Sequence, residues 1–335
     1  MTIKDFIEKC TERCAGSSSS SSAIRSSSSS AIHSSLYSQA EAKALAWRVL
    51  QDLYGIPKLR ILTEPSSEIC KHTAEGAAIA VSESELEGII ERLTSGKPVQ
   101  YIVGFETFCG HKFKVAPGVL IPRPETEQLV EIVIEEIKGC EREKGQEALR
   151  VLDLCTGSGC IAWSIWAALN GCSINSAART KAEVYACDIS EKALQIAENQ
   201  PISQPEEGPI PHFFRCDVLG SDAPKVIKHL TPTFRIIISN PPYITGRERT
   251  QMHPNVKEHE PAEALFVPDE DPQKFYKAIA RIAEETLERG GKLYLECNPL
   301  FIEETANLLK ESGFTNVKIL NDFLEKPRFI TATAA

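Results

Sequence analysis

From Arg150 to the end of the chain, short apolar runs alternate with segments that have helical spacing. The runs that predict strands are 151–154, 184–187, 213–216, 236–239, 292–297, 317–320 and 329–333. Such alternation is typical of a mostly parallel sheet, because parallel strands must be joined by long crossover connections. The pattern predicts an α/β fold with a seven-stranded sheet.

The residues before this region have a different pattern, which predicts a small helical domain over 1–97. Ser38 is an expected helix N-cap with Glu41 as its capping-box partner, and a second helix is predicted from Ser82. Residues 16–35 are mostly serine, 13 of 20, so they bury too little apolar surface to offset ordering entropy, and we interpret them as a flexible insertion. Residues 98–122 are predicted to form a β-hairpin linker to a second domain over 123–335.

Composition limits the classes of function. The chain has 335 residues, enough for about two domains, and a formal net charge of −9. That charge argues against a protein whose affinity comes mainly from phosphate contacts. The 11 cysteines and seven histidines show no metal-ligand spacing, so no metal site is expected. No apolar run approaches the length of a membrane span or forms a signal core, and we expect a cytoplasmic protein.

The strand at 236–239 leads into Asn240, Pro241, Pro242 and Tyr243. The two prolines exclude further sheet pairing, so the backbone must leave the sheet in a fixed extended turn. The Asn240 side-chain oxygen and the Pro241 carbonyl are acceptors for the two hydrogens of a planar –NH₂ group, and Tyr243 can lie against that group. An ordinary proline-rich strand exit is the alternative interpretation.

Three further strand ends carry polar or glycine residues. The first strand ends in the turn Cys155-Thr156-Gly157-Ser158-Gly159, where glycines allow close approach of a ligand. Asp188 follows the second strand and is placed to accept hydrogen bonds from ribose hydroxyls, and Asp217 with Val218 follows the third, where adenine can be held. For Asp153, Asp188 and Asp217, a helix N-cap is the alternative role.

At this point the sequence resembles the peptide-chain release factor glutamine methyltransferases, known as PrmC or HemK. The likeness runs from about Ser38 to the C-terminus. The motifs that carry it are Pro98 to Ile102 with Gly104, Phe108-Cys109-Gly110, Leu120-Ile121-Pro122-Arg123-Pro124-Glu125-Thr126-Glu127, Asp153 to Gly159, Asn240 to Tyr243, Glu260-Pro261, and Ala264-Leu265. Cys155 stands where many members have glycine.

The resemblance implies a seven-stranded, Rossmann-like, S-adenosylmethionine-dependent methyltransferase domain behind a helical substrate-recognition domain. It implies methylation of N5 of the glutamine in the Gly-Gly-Gln motif of class 1 release factors. Carried over by position, the expected catalytic residues are Asn240, Pro241, Pro242 and Tyr243. The expected cofactor-binding residues are Cys155, Thr156, Gly157, Ser158 and Gly159 around the methionine part, Asp188 on ribose, Asp217 and Val218 at adenine, and Asn240.

Two other functions stay open at this stage. An adenine-N6 methyltransferase acting on DNA or RNA shares the Asn-Pro-Pro-Tyr loop but needs a basic recognition surface. A non-catalytic protein that binds release factors or ribosomes is the second alternative. The expected partners are class 1 release factors, with no direct nucleic-acid or membrane contact, and the expected state is a monomer.

Overall fold

The computed structural model describes residues 1–15, 36–73, 76–139, 149–170, 182–202 and 210–335. These residues divide into two compact units, Met1–Gly104 with His253–His259, and Phe105–Met252 with Glu260–Ala335. The predicted serine-rich insertion, 16–35, lies outside the described residues. The domain limits predicted at 97 and 122 stay predictions.

The described helices are α1 (Ile3–Ala15), α2 (Gln39–Tyr54), α3 (Lys58–Thr63), α4 (Glu83–Thr94), α5 (Val99–Val103), α6 (Pro124–Gly139), α7 (Cys160–Asn170), α8 (Glu191–Glu198), α9 (Ala223–Leu230), α10 (Pro254–His259), α11 (Ala262–Leu265), α12 (Lys274–Thr286) and α13 (Ile302–Glu311). The described strands are β1 (Cys70–His72), β2 (Ala78–Ala80), β3 (Phe105–Phe108), β4 (His111–Lys114), β5 (Leu149–Leu154), β6 (Ala182–Asp188), β7 (His212–Arg215), β8 (Phe234–Ser239), β9 (Ile244–Thr245), β10 (Phe266–Val267), β11 (Leu287–Glu296), β12 (Thr315–Asn321) and β13 (Pro327–Thr333).

The first unit is mainly helical. Helices α1, α2 and α4 bury one apolar face each, as helical spacing requires, and their buried side chains include Phe6, Leu50, Leu86, Ile89 and Ile90. The antiparallel pair β1–β2 and the short helix α3 were not predicted, because elements of three to six residues are too short to show a periodic pattern.

The start of α2 has the predicted capping box. Ser38 Oγ accepts a hydrogen bond from Glu41 N at 3.2 Å, and the Glu41 carboxylate accepts one from Ser38 N at 2.8 Å. We expect Ser38→Ala to lower the free energy of unfolding of the helical unit by about 1 kcal/mol, because the Glu41 amide loses its side-chain acceptor, whereas the bond from the backbone N–H of residue 38 to the Glu41 carboxylate remains. Urea unfolding checks this. Ser38→Thr, which can still cap, is the matched control, and an equal loss in both variants would contradict the capping role.

The second unit contains the predicted seven-stranded sheet. Its strand order is β12-β13-β11-β8-β5-β6-β7. Five strands are parallel, and β13 runs antiparallel to both of its neighbours. The chain builds outward from β5 through β6 to β7, and then returns to the other side of β5 at β8. This reversal is a topological switch point, where open α/β sheets bind ligands beyond the carboxyl ends of their strands.

Apolar side chains fill both faces of the sheet. Neighbouring residues of β8 alternate between the two cores, so Ile237 packs in the core that contains α12, and Ile236 and Ile238 pack in the core that contains α6 and α7. A strand buried on both sides must be apolar throughout. This explains why β8 is a continuous apolar run rather than an alternating one.

Two segments differ from the predictions. Within the predicted hairpin linker 98–122, Val99–Val103 forms the helix α5, and only β3 and β4 form the hairpin, around Cys109 and Gly110, which both have positive φ. Strand β11 begins at Leu287 rather than at 292. A register shift against β8 between Leu287 and Lys292 accommodates Gly290, at φ 75°, and its neighbour Gly291, so these two glycines interrupt the strand without ending it.

Among the described residues, no helix combines the length and the apolar character needed to cross a membrane.

Candidate active site

The carboxyl ends of β5, β6, β7 and β8 open onto a cavity of about 320 Å³ in the second unit. This volume is within the range of small-molecule sites. Seven of the residues predicted for cofactor binding or catalysis line it: Cys155, Gly157, Asp188, Asp217, Val218, Asn240 and Pro242. The structure therefore brings the four predicted strand ends to one site.

The turn after β5 is shaped for close approach of a ligand. Cys155 and Gly157 have positive φ values of 62° and 56°. Such a conformation costs a non-glycine residue about 1 kcal/mol or more, which is a physical reason for glycine to be favoured at position 155. Beyond Gly157, no heavy atom lies within 4 Å of the place where a Cβ would stand. The backbone is thus open toward a bound group at this point.

The other residues of this turn do not line the cavity, and their contacts hold the turn in place. They are Thr156, Ser158 and Gly159. The Thr156 hydroxyl donates to Asp153 Oδ2 at 2.5 Å, and burial raises the pKa of the Asp153 carboxyl to about 7. Ser158 is buried, and its carbonyl accepts a hydrogen bond from Gln200 Nε2. A Cβ at Gly159 would lie 2.9 Å from Ala197 Cβ, so glycine allows α8 to pack closely. Direct cofactor contacts by Thr156, Ser158 and Gly159 stay predictions.

Asp188 is the last residue of β6. Its two carboxylate oxygens each accept one backbone hydrogen bond, from Gly157 N and from Ser190 N, both at 2.9 Å. Burial raises the pKa of Asp188, and these amide donors oppose the rise. The N-cap of α8 is Ser190, so the alternative role of Asp188 as a helix N-cap is wrong. Each oxygen keeps a second lone pair for a hydroxyl donor.

Asp217 and Val218 lie just beyond β7. The carboxylate of Asp217 accepts a hydrogen bond from Leu219 N at 2.9 Å, which fixes the turn, and Val218 is a buried apolar residue on the cavity wall. The N-cap of α9 is Asp222, so the N-cap alternative for Asp217 is also wrong. A polar edge beside an apolar wall suits a heteroaromatic ring such as adenine.

Asn240 follows β8 and is held by a side chain from α6. Its Nδ2 donates to Thr126 Oγ1 at 3.0 Å, and the Thr126 hydroxyl donates to Glu296 Oε2 at 2.7 Å. The Tyr243 hydroxyl donates to Glu296 Oε1 at 3.0 Å. Burial raises the pKa of Glu296, and the hydrogen bonds from Thr126 and Tyr243 oppose the rise. One buried carboxylate thus connects the two ends of the Asn-Pro-Pro-Tyr loop.

A second network holds the backbone of this loop. The side-chain nitrogen of Asn298, just after β11, donates to the Tyr243 carbonyl at 3.0 Å and to the Glu248 carboxylate. Glu248 Oε2 also accepts from the backbone N–H and the hydroxyl of Thr245. The loop is therefore fixed on both sides, and a substrate group would meet a preorganised surface.

The far wall of the cavity was not predicted as part of the site. Leu120 and Val119 line it from one segment, and Pro261, Glu263 and Ala264 from another. The Glu260 side chain, 1% exposed, joins the two segments by accepting hydrogen bonds from Ile121 N at 3.0 Å and from Arg123 Nη2 at 2.6 Å. Leu120, Pro261 and Ala264 belong to the motifs that carry the family resemblance, and that is the sequence signal that could have indicated this wall.

We expect Glu260→Gln to lower the free energy of unfolding by about 1 to 2 kcal/mol. The amide that replaces one carboxylate oxygen is a donor, so it faces either the Arg123 or the Ile121 donor without a bond. Urea unfolding checks this, with the exposed Glu258→Gln as control. Equal stability of the two variants would show that the Glu260 pairing does not matter for the fold.

Among the described residues, no group of three or more His, Cys, Asp or Glu side chains is arranged to hold a metal ion. The site is instead built from backbone amides, two carboxylates at strand ends, and an asparagine loop.

A sheet with this strand order, a glycine turn, a carboxylate after the second strand and an Asn-Pro-Pro-Tyr loop at one edge define the class of Rossmann-like methyltransferases. The chain is 38% identical over 297 residues to a release factor glutamine methyltransferase of Bacteroides thetaiotaomicron. The aligned residues cover 89% of this chain and 94% of that protein. It is 32% identical to the protein of the same name from Flavobacterium psychrophilum, over 88% of this chain and 93% of that one. The chain therefore belongs to the family of release factor glutamine methyltransferases.

No family model matches the chain. A crystal structure of a release factor-specific protein-(glutamine-N5) methyltransferase from Alicyclobacillus acidocaldarius subsp. acidocaldarius is 26% identical, and the match covers 66% of this chain and 99% of that chain. Its TM-score of 0.36 is too low to add to the conclusion above.

Proposed function

We propose that this protein transfers a methyl group from S-adenosylmethionine to N5 of the glutamine in the Gly-Gly-Gln motif of class 1 release factors. The observation that carries the proposal is the asparagine loop: Asn240, with its Nδ2 bonded to Thr126, lines the same cavity as Asp188 and Val218. The named relatives are release factor glutamine methyltransferases, which favours a glutamine amide over a nucleic-acid base as the planar nitrogen.

The cavity residues fit S-adenosylmethionine in size and in chemistry. Asp188 has free lone pairs for the ribose hydroxyls, Val218 offers an apolar surface for adenine, and the open backbone at Gly157 lies where the methionine part would pass. When bound, this cofactor supplies a methyl group on a positively charged sulfur.

An amide nitrogen is a poor nucleophile, so the protein must position it. In the proposed reaction, the glutamine nitrogen forms a bond to the methyl carbon while the carbon–sulfur electron pair returns to sulfur. The methylated nitrogen then loses a proton to solvent, so no general base is needed. The Asn240 side-chain oxygen and the Pro241 carbonyl accept hydrogen bonds from the two N–H groups of the substrate amide, which aims the nitrogen lone pair. An enclosed site favours this step because it neutralises the positive charge on sulfur.

The expected partner is a class 1 release factor, and a cytoplasmic location and a monomeric state remain predictions. The test is mass spectrometry of a purified release factor after incubation with this protein and S-adenosylmethionine. We expect the added mass of one methylene on the Gly-Gly-Gln glutamine, and none when that glutamine is replaced by glutamate.

Different results would point to the alternatives. Methylation of DNA or RNA with none on the release factor would favour an adenine-N6 methyltransferase. Binding of the release factor without binding of S-adenosylmethionine would favour a non-catalytic role. Either result would overturn the proposal.

A further inference from the structure

The Asn240 amide is held in a buried hydrogen-bond chain whose direction can be worked out. Thr126 is 3% exposed and Glu296 is 1% exposed, so water does not compete for their polar atoms. The Thr126 hydroxyl has one hydrogen, and that hydrogen is donated to Glu296 Oε2 at 2.7 Å. Toward Asn240, 3.0 Å away, the Thr126 oxygen can therefore act only as an acceptor.

The charge of Glu296 sets this direction. An ionised carboxylate accepts hydrogen bonds and donates none, so the Thr126 and Tyr243 hydroxyls must both donate to it. Burial raises the pKa of Glu296, and Glu125 adds to the rise. The hydrogen bonds from the Thr126 and Tyr243 hydroxyls and the positive charge of Arg328 oppose the rise and favour the ionised form. Each hydrogen bond is then donated in the same direction, from Asn240 to Thr126 and from Thr126 to Glu296.

We infer that Thr126 and Glu296 are positioning residues that fix the orientation of the Asn240 amide, so that its oxygen rather than its nitrogen faces the substrate. An asparagine side chain looks nearly the same in either orientation, and nothing in its own shape selects one. A flipped amide would present two hydrogens to the two hydrogens of a glutamine –NH₂ group, which would repel it. This inference rests on the proposed function.

The first test compares two substitutions at position 126. Thr126→Val keeps the shape but removes the hydroxyl, so we expect kcat for release factor methylation to fall about 10- to 100-fold. Thr126→Ser keeps the hydroxyl, and we expect it to retain activity within about threefold of wild type. Thr107→Val, on the exposed face of β3, is the matched control. Equal activity of the Val and Ser variants would overturn the inference.

The second test reverses the hydrogen-bond direction on purpose. In Asn240→Asp, an oxygen faces the Thr126 oxygen, which has no hydrogen to give, so activity should fall. In Glu296→Gln, the new –NH₂ group can donate to Thr126, which frees the Thr126 hydrogen to point at residue 240. That single change should also lower activity, because Asn240 then turns its oxygen toward Thr126 and its nitrogen toward the substrate.

The double variant Asn240→Asp/Glu296→Gln separates a directional role from a structural one. Here the Thr126 hydrogen meets one Asp oxygen, and the other Asp oxygen is left for the substrate. We expect it to be about 10-fold more active than Asn240→Asp alone. If the activity losses of the two single variants multiply in the double variant instead, the direction of these hydrogen bonds has no role and the inference fails.

Wild-type protein is assayed beside every variant. If wild type does not methylate the release factor, the proposed function fails, and the inference fails with it. If wild type is active and the variants do not follow the pattern above, only the inference is wrong. S-adenosylmethionine affinity and melting temperature are measured for each variant, and Glu296→Gln, which is isosteric, carries the test if Thr126→Val does not fold.

Discussion

Replacing Asn240 with alanine should lower the rate of release factor methylation by about 10²- to 10³-fold, the loss expected when one positioned hydrogen-bonding group is removed from a reacting centre. The substrate amide loses the acceptor that aims its nitrogen, and the Thr126 oxygen loses the donor that now lies 3.0 Å away. The measurement is single-turnover methylation with saturating S-adenosylmethionine, so that the rate reports the step after binding.

Cofactor affinity should change much less than the rate. Asn240 lines the cavity and is one of the predicted cofactor contacts, so we allow a loss of about fivefold, the equivalent of one neutral hydrogen bond. Asn307→Ala, on the exposed surface of α13, is the matched control and should leave both quantities unchanged. Unimpaired methylation by Asn240→Ala would remove Asn240 from the catalytic residues.

Replacing Asp188 with alanine should weaken S-adenosylmethionine binding by about 100-fold. Hydrogen bonds to a charged group contribute about 1.5 to 3 kcal/mol each, and the variant loses the acceptor for the ribose hydroxyls. It also leaves Gly157 N and Ser190 N without their partner, so the turn that approaches the cofactor loosens. Isothermal calorimetry with S-adenosylmethionine gives the dissociation constant directly.

Two further variants divide this loss into its parts. Asp188→Asn keeps one acceptor oxygen and most of the shape, so its affinity should lie between those of wild type and Asp188→Ala. Asp222→Ala, at the exposed start of α9, changes net charge equally and should bind as wild type does. A dissociation constant that is the same in Asp188→Ala and wild type would count against the ribose assignment.

Sequence patterns were sufficient for the main elements of both units. Helix α2 was predicted with its cap at Ser38, because a capping box is formed by residues only three apart in sequence. Helix α4 was predicted to start at about Ser82, and the structure shows Ser82 as its N-cap. The seven strands were predicted from short apolar runs, and the run is continuous in β8, a parallel strand buried on both faces. Short elements such as β1, β2 and α5 were missed, since three to five residues are too few to show a periodic pattern.

For the site, the sequence indicated which residues follow strand ends and hence which would meet at one edge of the sheet. Asp188, Val218 and Asn240 line the cavity for that reason. What the sequence could not decide was whether each Asp caps a helix. That depends on where the helix begins, and the structure places the caps at Ser190 and Asp222 instead.

The sequence by itself determined the α/β class, the family and the chemical character of the asparagine loop, because these depend on local patterns and short motifs. Only the tertiary structure decided what holds that loop in place. Thr126 lies 114 residues from Asn240 and 170 residues from Glu296, and Glu260 lies 137 residues from Arg123. Hydrogen bonds between such distant residues arise from how the sheet and helices pack, and no spacing in the sequence encodes them.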